Sequence, residues 1–409
     1  MNGRRPCRLA AVLAAIATAG AGVATAQSGG AEWLMGVRKQ GNWRLERLDP
    51  NTGVEIGGTY FPSPSPLGVG LVGLTWSGER LLTVNIQPIA DVSTEIHPAD
   101  AVYTAIGLTG LNVGYQSIER RVQSGVVYLA TYSSLYTLNP ATGAVALVAP
   151  FAGFAHPSDG IYAMAIDSAG NAIGMGGELQ NQVNTVYSID LATANLNAIG
   201  MIQGIGDGWF RDIAISGTGD VWASFYDIGL NPGARGLYRL DAANGYWPTF
   251  VRPMTDPYWG LAFVPAPVQS IYCTAKANSA GCSPVVSGDG WPSPTASSGY
   301  VIRCDDVVNQ TVGVLLYTAS GRATLPFGGG TLCIAAPRRR TPLRQSGGSP
   351  AGWNDCSGEW SVDFNSHLQT QAQLPAGLTL RCQWMGRDSG FAPPNNYQLS
   401  NALEFTLEP

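Results

Sequence analysis

At 409 residues, 45% of them hydrophobic, the chain can bury a sizeable core and is too long for one ordinary domain, so two domains are expected. Only 12% of residues are charged, while 52 Gly and 27 Pro favour many short strands and tight turns over helices. The formal net charge is −5, and the acidic excess lies wholly before residue 267, with 11 basic and 19 acidic residues over 27–266 and 9 of each beyond. A negative domain without a basic stripe argues against nucleic acid or an anionic membrane as partner.

Residues 1–26 read as a secretory signal. Arg4, Arg5 and Arg8 precede the apolar run Leu9 to Ala24, and Ala24-Thr25-Ala26 offers small residues for cleavage before Gln27. Export to the periplasm, cell surface or medium follows, with no membrane span after cleavage.

A short phrase then recurs: Leu48-Asp49-Pro50-Asn51-Thr52-Gly53, Ile96-His97-Pro98-Ala99-Asp100-Ala101, Leu138-Asn139-Pro140-Ala141-Thr142-Gly143, Ile189-Asp190-Leu191-Ala192-Thr193-Ala194 and Leu240-Asp241-Ala242-Ala243-Asn244-Gly245. Asp or Asn can bond its own backbone two residues on, Pro presets φ, and Gly accepts positive φ, so each copy is a turn between strands. From Asp49 to His97, Asn139, Asp190 and Asp241 the steps are 48, 42, 51 and 51 residues, the length of one four-stranded propeller blade. The strand-like run Trp259 to Val264 has no partners after it, and Glu32 to Phe61 lacks an innermost strand before it. The two ends are therefore expected to complete one blade together. Residues 27–266 are read as a five-bladed β-propeller, with six or seven blades as alternatives if Ala101 to Val126 hides another. This part resembles the broad propeller superfamily of secreted proteins in blade grammar only, and no activity follows from that.

On a propeller the loops entering the innermost strands share one face with those joining the second and third strands, and that face collects functional groups. The entering loops supply Gly68, Tyr115, Gln116, His156, Ser158, Asp159, Asp207, Trp209, Arg211, Asp212, Asp256, Tyr258 and Trp259; the joining loops supply Asp91, Glu178, Gln180, Asn181, Asp227, Asn231 and Arg235. The ligand-binding candidates are His156, Asp159, Asp207, Trp209, Arg211, Asp212, Asp256, Tyr258 and Trp259. Aromatic faces beside polar groups suit a glycan, and clustered oxygens suit calcium, although no specific motif for a metal or cofactor is present. The competing bland reading packs the Trp residues between blades and uses each Asp to fasten a turn.

Residues 267–409 hold all six cysteines that follow the signal: Cys273, Cys282, Cys304, Cys333, Cys356 and Cys382. An even set without Cys-x-x-Cys spacing reads as three disulfides rather than zinc. Cys273 and Cys282 bracket a short loop and could pair across it; Cys304 and Cys382 end similar alternating runs, as on neighbouring strands. The phrases Tyr272-Cys273-Thr274-Ala275-Lys276, Gly281-Cys282, Asp355-Cys356-Ser357-Gly358, Cys382-Gln383-Trp384-Met385-Gly386-Arg387-Asp388-Ser389-Gly390-Phe391 and Pro393-Pro394-Asn395-Asn396 follow in order. Together they resemble an uncharacterised C-terminal module of large exported bacterial proteins, and the resemblance implies attachment, sorting or surface assembly.

The expected architecture is thus all-β: a propeller closed by its two ends, then a disulfide-bonded β-sandwich-like domain. Two functions are compatible with it. One is a non-catalytic binding or display protein with a glycan or protein ligand. The other is a polysaccharide hydrolase or lyase drawing its acid and base from Asp159, Asp207, Asp212 and Asp256. No Gly-x-Ser-x-Gly or His-Glu-x-x-His motif occurs.

Overall fold

A computed structural model describes residues 31–62, 70–88, 90–156, 158–178, 183–202, 205, 208–227, 232–371 and 374–409. The expected signal, together with Gly68, Gln180, Asn181, Asp207 and Asn231, lies outside the described residues.

Strands β1 (Glu32–Gln40), β2 (Asn42–Leu48) and β3 (Glu55–Tyr60) open the described chain. Four antiparallel sheets follow, each formed by consecutive strands. The first contains β4 (Gly70–Trp76), β5 (Leu81–Ile86), β6 (Val92–Ile96) and β7 (Tyr103–Leu108). The next contains β8 (Tyr115–Arg120), β9 (Val127–Thr131), β10 (Ser134–Leu138) and β11 (Val145–Pro150). Then come β12 (Gly160–Ile166), β13 (Ala172–Glu178), β14 (Val183–Ile189) and β15 (Leu196–Ile202), and β16 (Gly208–Ile215), β17 (Val221–Asp227), β18 (Gly236–Asp241) and β19 (Trp247–Pro253).

Finally β20 (Tyr258–Pro265) returns to β1, with Trp33 opposite Val264 and Gly36 opposite Leu261, and completes the sheet β20-β1-β2-β3. The expected closure is therefore present, and the seam is covered by main-chain hydrogen bonds rather than left as an edge. The innermost strands β4, β8, β12, β16 and β20 pack side by side around a centre, β20 against β4. Ala101 to Val126 contributes the outermost strand of one sheet and the innermost strand of the next.

The recurring phrase occupies the same place in all five sheets, the turn from third to fourth strand. Asp49, Asn139, Asp190 and Asp241 each accept the backbone N–H two residues on, at 2.7–3.0 Å. In the divergent copy the imidazole Nδ1 of His97 takes that role, accepting from Ala99 N at 3.1 Å. The last position has positive φ in every copy: Gly53, Ala101, Gly143, Ala194 and Gly245 at 66°, 55°, 77°, 57° and 68°.

Beyond residue 267 a six-stranded sheet and a three-stranded sheet pack face to face. Tyr300, Ile302 and Trp360 from one face meet Leu315, Tyr317, Trp384 and Phe405 from the other, the sandwich-like core that alternation in these strands requires. A short helix, Phe364–Gln369, is capped by Asp363 accepting from Ser366 N. The cysteine expectation needs correction. Cys273 pairs with Cys333 and Cys282 with Cys356, so no bridge closes the short loop. Cys304 and Cys382 are unbridged thiols buried in the core between the two facing sheets, not on hydrogen-bonded neighbours, and burial raises both thiol pKa values.

Residues 31–409 form one compact unit. Trp291 and Ala296 of the sandwich region belong to the same apolar cluster as Met35, Leu45, Leu71 and Ile96. Trp291 meets Trp33 and Trp76 edge-on, with ring centres 6.0 and 5.3 Å apart. Around this contact Arg47 pairs with Asp289 at 2.5 Å, Asp100 accepts from Ser297 N at 2.7 Å, and His97 Nε2 meets Ser293 Oγ at 3.1 Å. Burial and Arg80 push the His97 imidazole down to about 4, so it sits in the interface neutral.

Two outcomes check this description. A Cβ at Gly143 would meet Ser93 Oγ and the Gly107 carbonyl while the backbone holds φ at 77°, so Gly143→Ala should cost about 2 kcal/mol or more in chemical unfolding. A thiol reagent should find no reactive cysteine in the folded chain after Gln27 and two after denaturation without reductant. A count of none in the denatured chain would restore a third bridge.

Candidate functional site

The innermost strands enter the central channel from one end, and their first residues build its mouth. Trp209 and Arg211 come from β16, Trp259 from β20, Tyr115 and Gln116 from β8, Tyr162 from β12 and Val72 from β4. With Ile86 at the end of β5 they line a cavity of about 80 Å³. The Arg211 guanidinium carbon lies 4.3 Å from the ring centre of Trp259, 4.9 Å from Trp209 and 5.1 Å from Tyr226. Tyr162 stacks on the other flank of Trp209, with ring centres 6.1 Å apart and planes at 21°. Beyond Tyr226 stands a second guanidinium, that of Arg235, at 4.7 Å, with its Nε donating to Asp227 O at 2.7 Å.

Arg211 makes no ion pair among the described residues, and its Nε is buried without a hydrogen-bond partner. Burial lowers its pKa from the ordinary arginine value, with Tyr226 acting in the opposite direction, but an arginine stays protonated under these conditions. The mouth thus holds a full positive charge that lies over the faces of aromatic rings. Quadrupole attraction of this kind contributes about 0.5–2 kcal/mol per contact and takes up none of the N–H groups.

One layer below, the channel is blocked. Asp212 is fully buried, and its Oδ2 accepts from Leu261 N on β20 at 2.8 Å. The backbone N–H groups of Leu74 on β4 and Ile213 on β16 lie near it and favour its charged form. Its Oδ1 lies 3.3 Å from Ser117 Oγ on β8, and that hydroxyl lies 3.1 Å from Met164 O on β12. One carboxyl therefore connects all five innermost strands. Deeper still, Glu119 is held by Thr75 Oγ1 at 3.3 Å. Burial raises both acids well above the carboxylate range, and Asp212 raises Glu119 further. A neutral Asp212 fits the geometry: Ser117 has one proton, and if Met164 O takes it, Asp212 can donate to Ser117 Oγ.

The remaining candidates have other positions. Asp159 is buried under Tyr187, whose hydroxyl donates to it at 2.6 Å, and receives His156 N at 3.3 Å; the His156 side chain is exposed. Tyr258 is a buried wedge whose hydroxyl donates to Glu46 at 2.6 Å, where Arg38 and Arg44 also converge. Asp256 is half-buried in the turn before β20. Of the nine candidates, Trp209, Arg211 and Trp259 form the wall of the mouth, and Asp212 forms the floor. Tyr162, Tyr226, Ser117 and Glu119 were not among them. Tyr115, Ser117 and Glu119 alternate along β8, and that run of inward polar residues on an innermost strand was the available signal.

No family model matches the chain, and no curated protein matches it. Solved structures with related shape include a chain of a nidogen/laminin complex, at 9% identity and TM-score 0.38 over 57% of this chain and 98% of that one. Others are an exo-β-1,3-galactanase from Phanerochaete chrysosporium with galactose (11%, 0.36, 91% and 95%) and TolB from Acinetobacter baumannii (10%, 0.36, 67% and 60%).

The floor makes a prediction about pH. With folded pKa values raised, the folded chain keeps protons that an unfolded Asp releases near ~3.9. The stabilising contribution is complete below that value and declines as pH rises toward the folded pKa. Asp212→Asn, which copies the neutral acid, should keep the fold and flatten this decline. Asp212→Ala, which strands several buried donors, should cost about 3 kcal/mol or more. Urea titrations from acid to alkaline pH test both, and an unchanged pH slope in the Asn variant would count against a neutral Asp212.

Proposed function

We propose that the chain is an exported binding protein whose propeller mouth takes a ligand and whose C-terminal module attaches or displays it. The observation that carries this reading is the Arg211 cage: a half-buried cation without an ion-pair partner among the described residues, set between Trp209, Tyr226 and Trp259 at the open end of a blocked channel. A desolvated charge with unused donors costs stability and gains it back when a ligand supplies the partner. Aromatic walls beside such a charge are the composition of binding sites.

The acid and base that a hydrolase or lyase would need find less support. Asp212 is committed to the five innermost strands and Asp159 to Tyr187 and the His156 backbone, so neither faces a substrate as a free carboxyl. Two disulfides fit an oxidising compartment. Among the described residues no helix is long and apolar enough to cross a membrane. The close seating of the sandwich against the propeller supports a display role, since a ligand at the mouth is then held at a defined orientation to the point of attachment.

The test is a screen of glycans and extracellular proteins against residues 27–409, read by tryptophan fluorescence and calorimetry, with product analysis for every glycan that binds. Binding that perturbs the tryptophans, weakens in Trp259→Phe and leaves the glycan intact is expected. Shortened or unsaturated products would replace this reading with the catalytic one.

A further inference from the structure

We propose that the mouth selects an acidic sugar, a uronate residue whose carboxylate seats on the edge of Arg211 while its ring lies against the tryptophan walls. This rests on the mouth being the ligand site and names the chemical class it takes. Aromatic rings stand around the guanidinium, whose Nε is buried without a hydrogen-bond partner. Planar, two-pronged donors match a carboxylate in its own plane, where two parallel N–H···O bonds form.

Size and charge narrow the choice. The cavity of about 80 Å³ is small, and Trp209, Trp259 and Tyr162 line it beside Arg211. A carboxylate on the guanidinium therefore brings its sugar ring against these aromatic side chains. A tetrahedral phosphate is bulkier and carries close to two negative charges against the one Arg211 guanidinium. The surrounding domain is itself acidic, with 11 basic against 19 acidic residues over 27–266, which disfavours ligands of high charge density and tolerates single, spaced carboxylates. An acidic peptide would meet the cation but leave the aromatic platform without a flat partner.

Calorimetry on residues 27–409 compares three probes: a trimer of galacturonic acid, its methyl ester, and the carboxyl-reduced neutral trimer. The acid should bind at least about tenfold more tightly than either neutral form, as expected for a charge-assisted hydrogen-bond pair. That preference should weaken with salt and vanish in Arg211→Gln, with Arg211→Lys retaining part of it. The ester comparison needs no altered protein, so it decides even if Arg211→Gln fails to fold. Equal binding of acid and ester, or an acid preference that survives in a folded Arg211→Gln, overturns the uronate assignment. So does Arg211-dependent binding of a sulfated trimer or an acidic hexapeptide in place of the uronate. If neutral trimers bind and Trp209→Phe or Trp259→Phe weakens them, the mouth stands as the site and only the uronate assignment falls. If no trimer binds, the uronate assignment falls, and the mouth as a site is decided by the wider screen of glycans and proteins.

Discussion

Everything at the centre of this molecule depends on one buried carboxyl. Five sheets arranged around an axis bring five innermost strands together, and each presents main-chain or side-chain polar groups that water cannot reach. Asp212 is central to meeting this need: it accepts from Leu261 N, touches Ser117, through Ser117 reaches Met164, and lies near Leu74 N and Ile213 N. A buried polar network is tolerable only when its members are satisfied, and here satisfaction requires all five strands at once. The same carboxyl therefore helps hold the ring together and floors the channel, which leaves the mouth above it as a shallow cup.

Features set by local chemistry were legible in the amino-acid sequence. The Asp or Asn that opens each repeated turn bonds a backbone group two residues on, so the phrase announces its own geometry without reference to the rest of the fold. Closure by Trp259 to Val264 was legible because each end lacked what the other possessed. Features that depend on distant partners were not. Nothing near Cys273 or Cys282 selects Cys333 or Cys356, which lie 60 and 74 residues away, and the short loop between the first two is a plausible but incorrect bridge. Trp209, Arg211 and Trp259 could be assigned to the mouth from their places before innermost strands. The depth that separates Arg211 from Asp212 is one residue of strand alternation, too fine for loop-level reading.

The divergent turn copy shows how a repeat loses its consensus. His97 replaces the opening Asp or Asn and Ala101 replaces Gly, yet the turn keeps both its side-chain-to-backbone bond and its positive φ. The reason lies outside the blade. This turn rests on the sandwich region, where His97 meets Ser293, Asp100 accepts from Ser297, and Arg80 reaches the Pro409 carbonyl. An imidazole can serve the turn with one nitrogen and the neighbouring module with the other, which a short carboxamide or carboxylate cannot do across the same gap.

Closure by the last strand also sets a schedule. Strand β1 has β2 beside it at once, but its other edge stays open until residues 258–265 have been made, more than two hundred residues later. Four sheets assemble from consecutive strands, while the central carboxyl gathers its fifth strand only when that segment arrives. Contacts so far apart along the chain are slow to form. A growing chain thus carries blades without a ring for most of its synthesis.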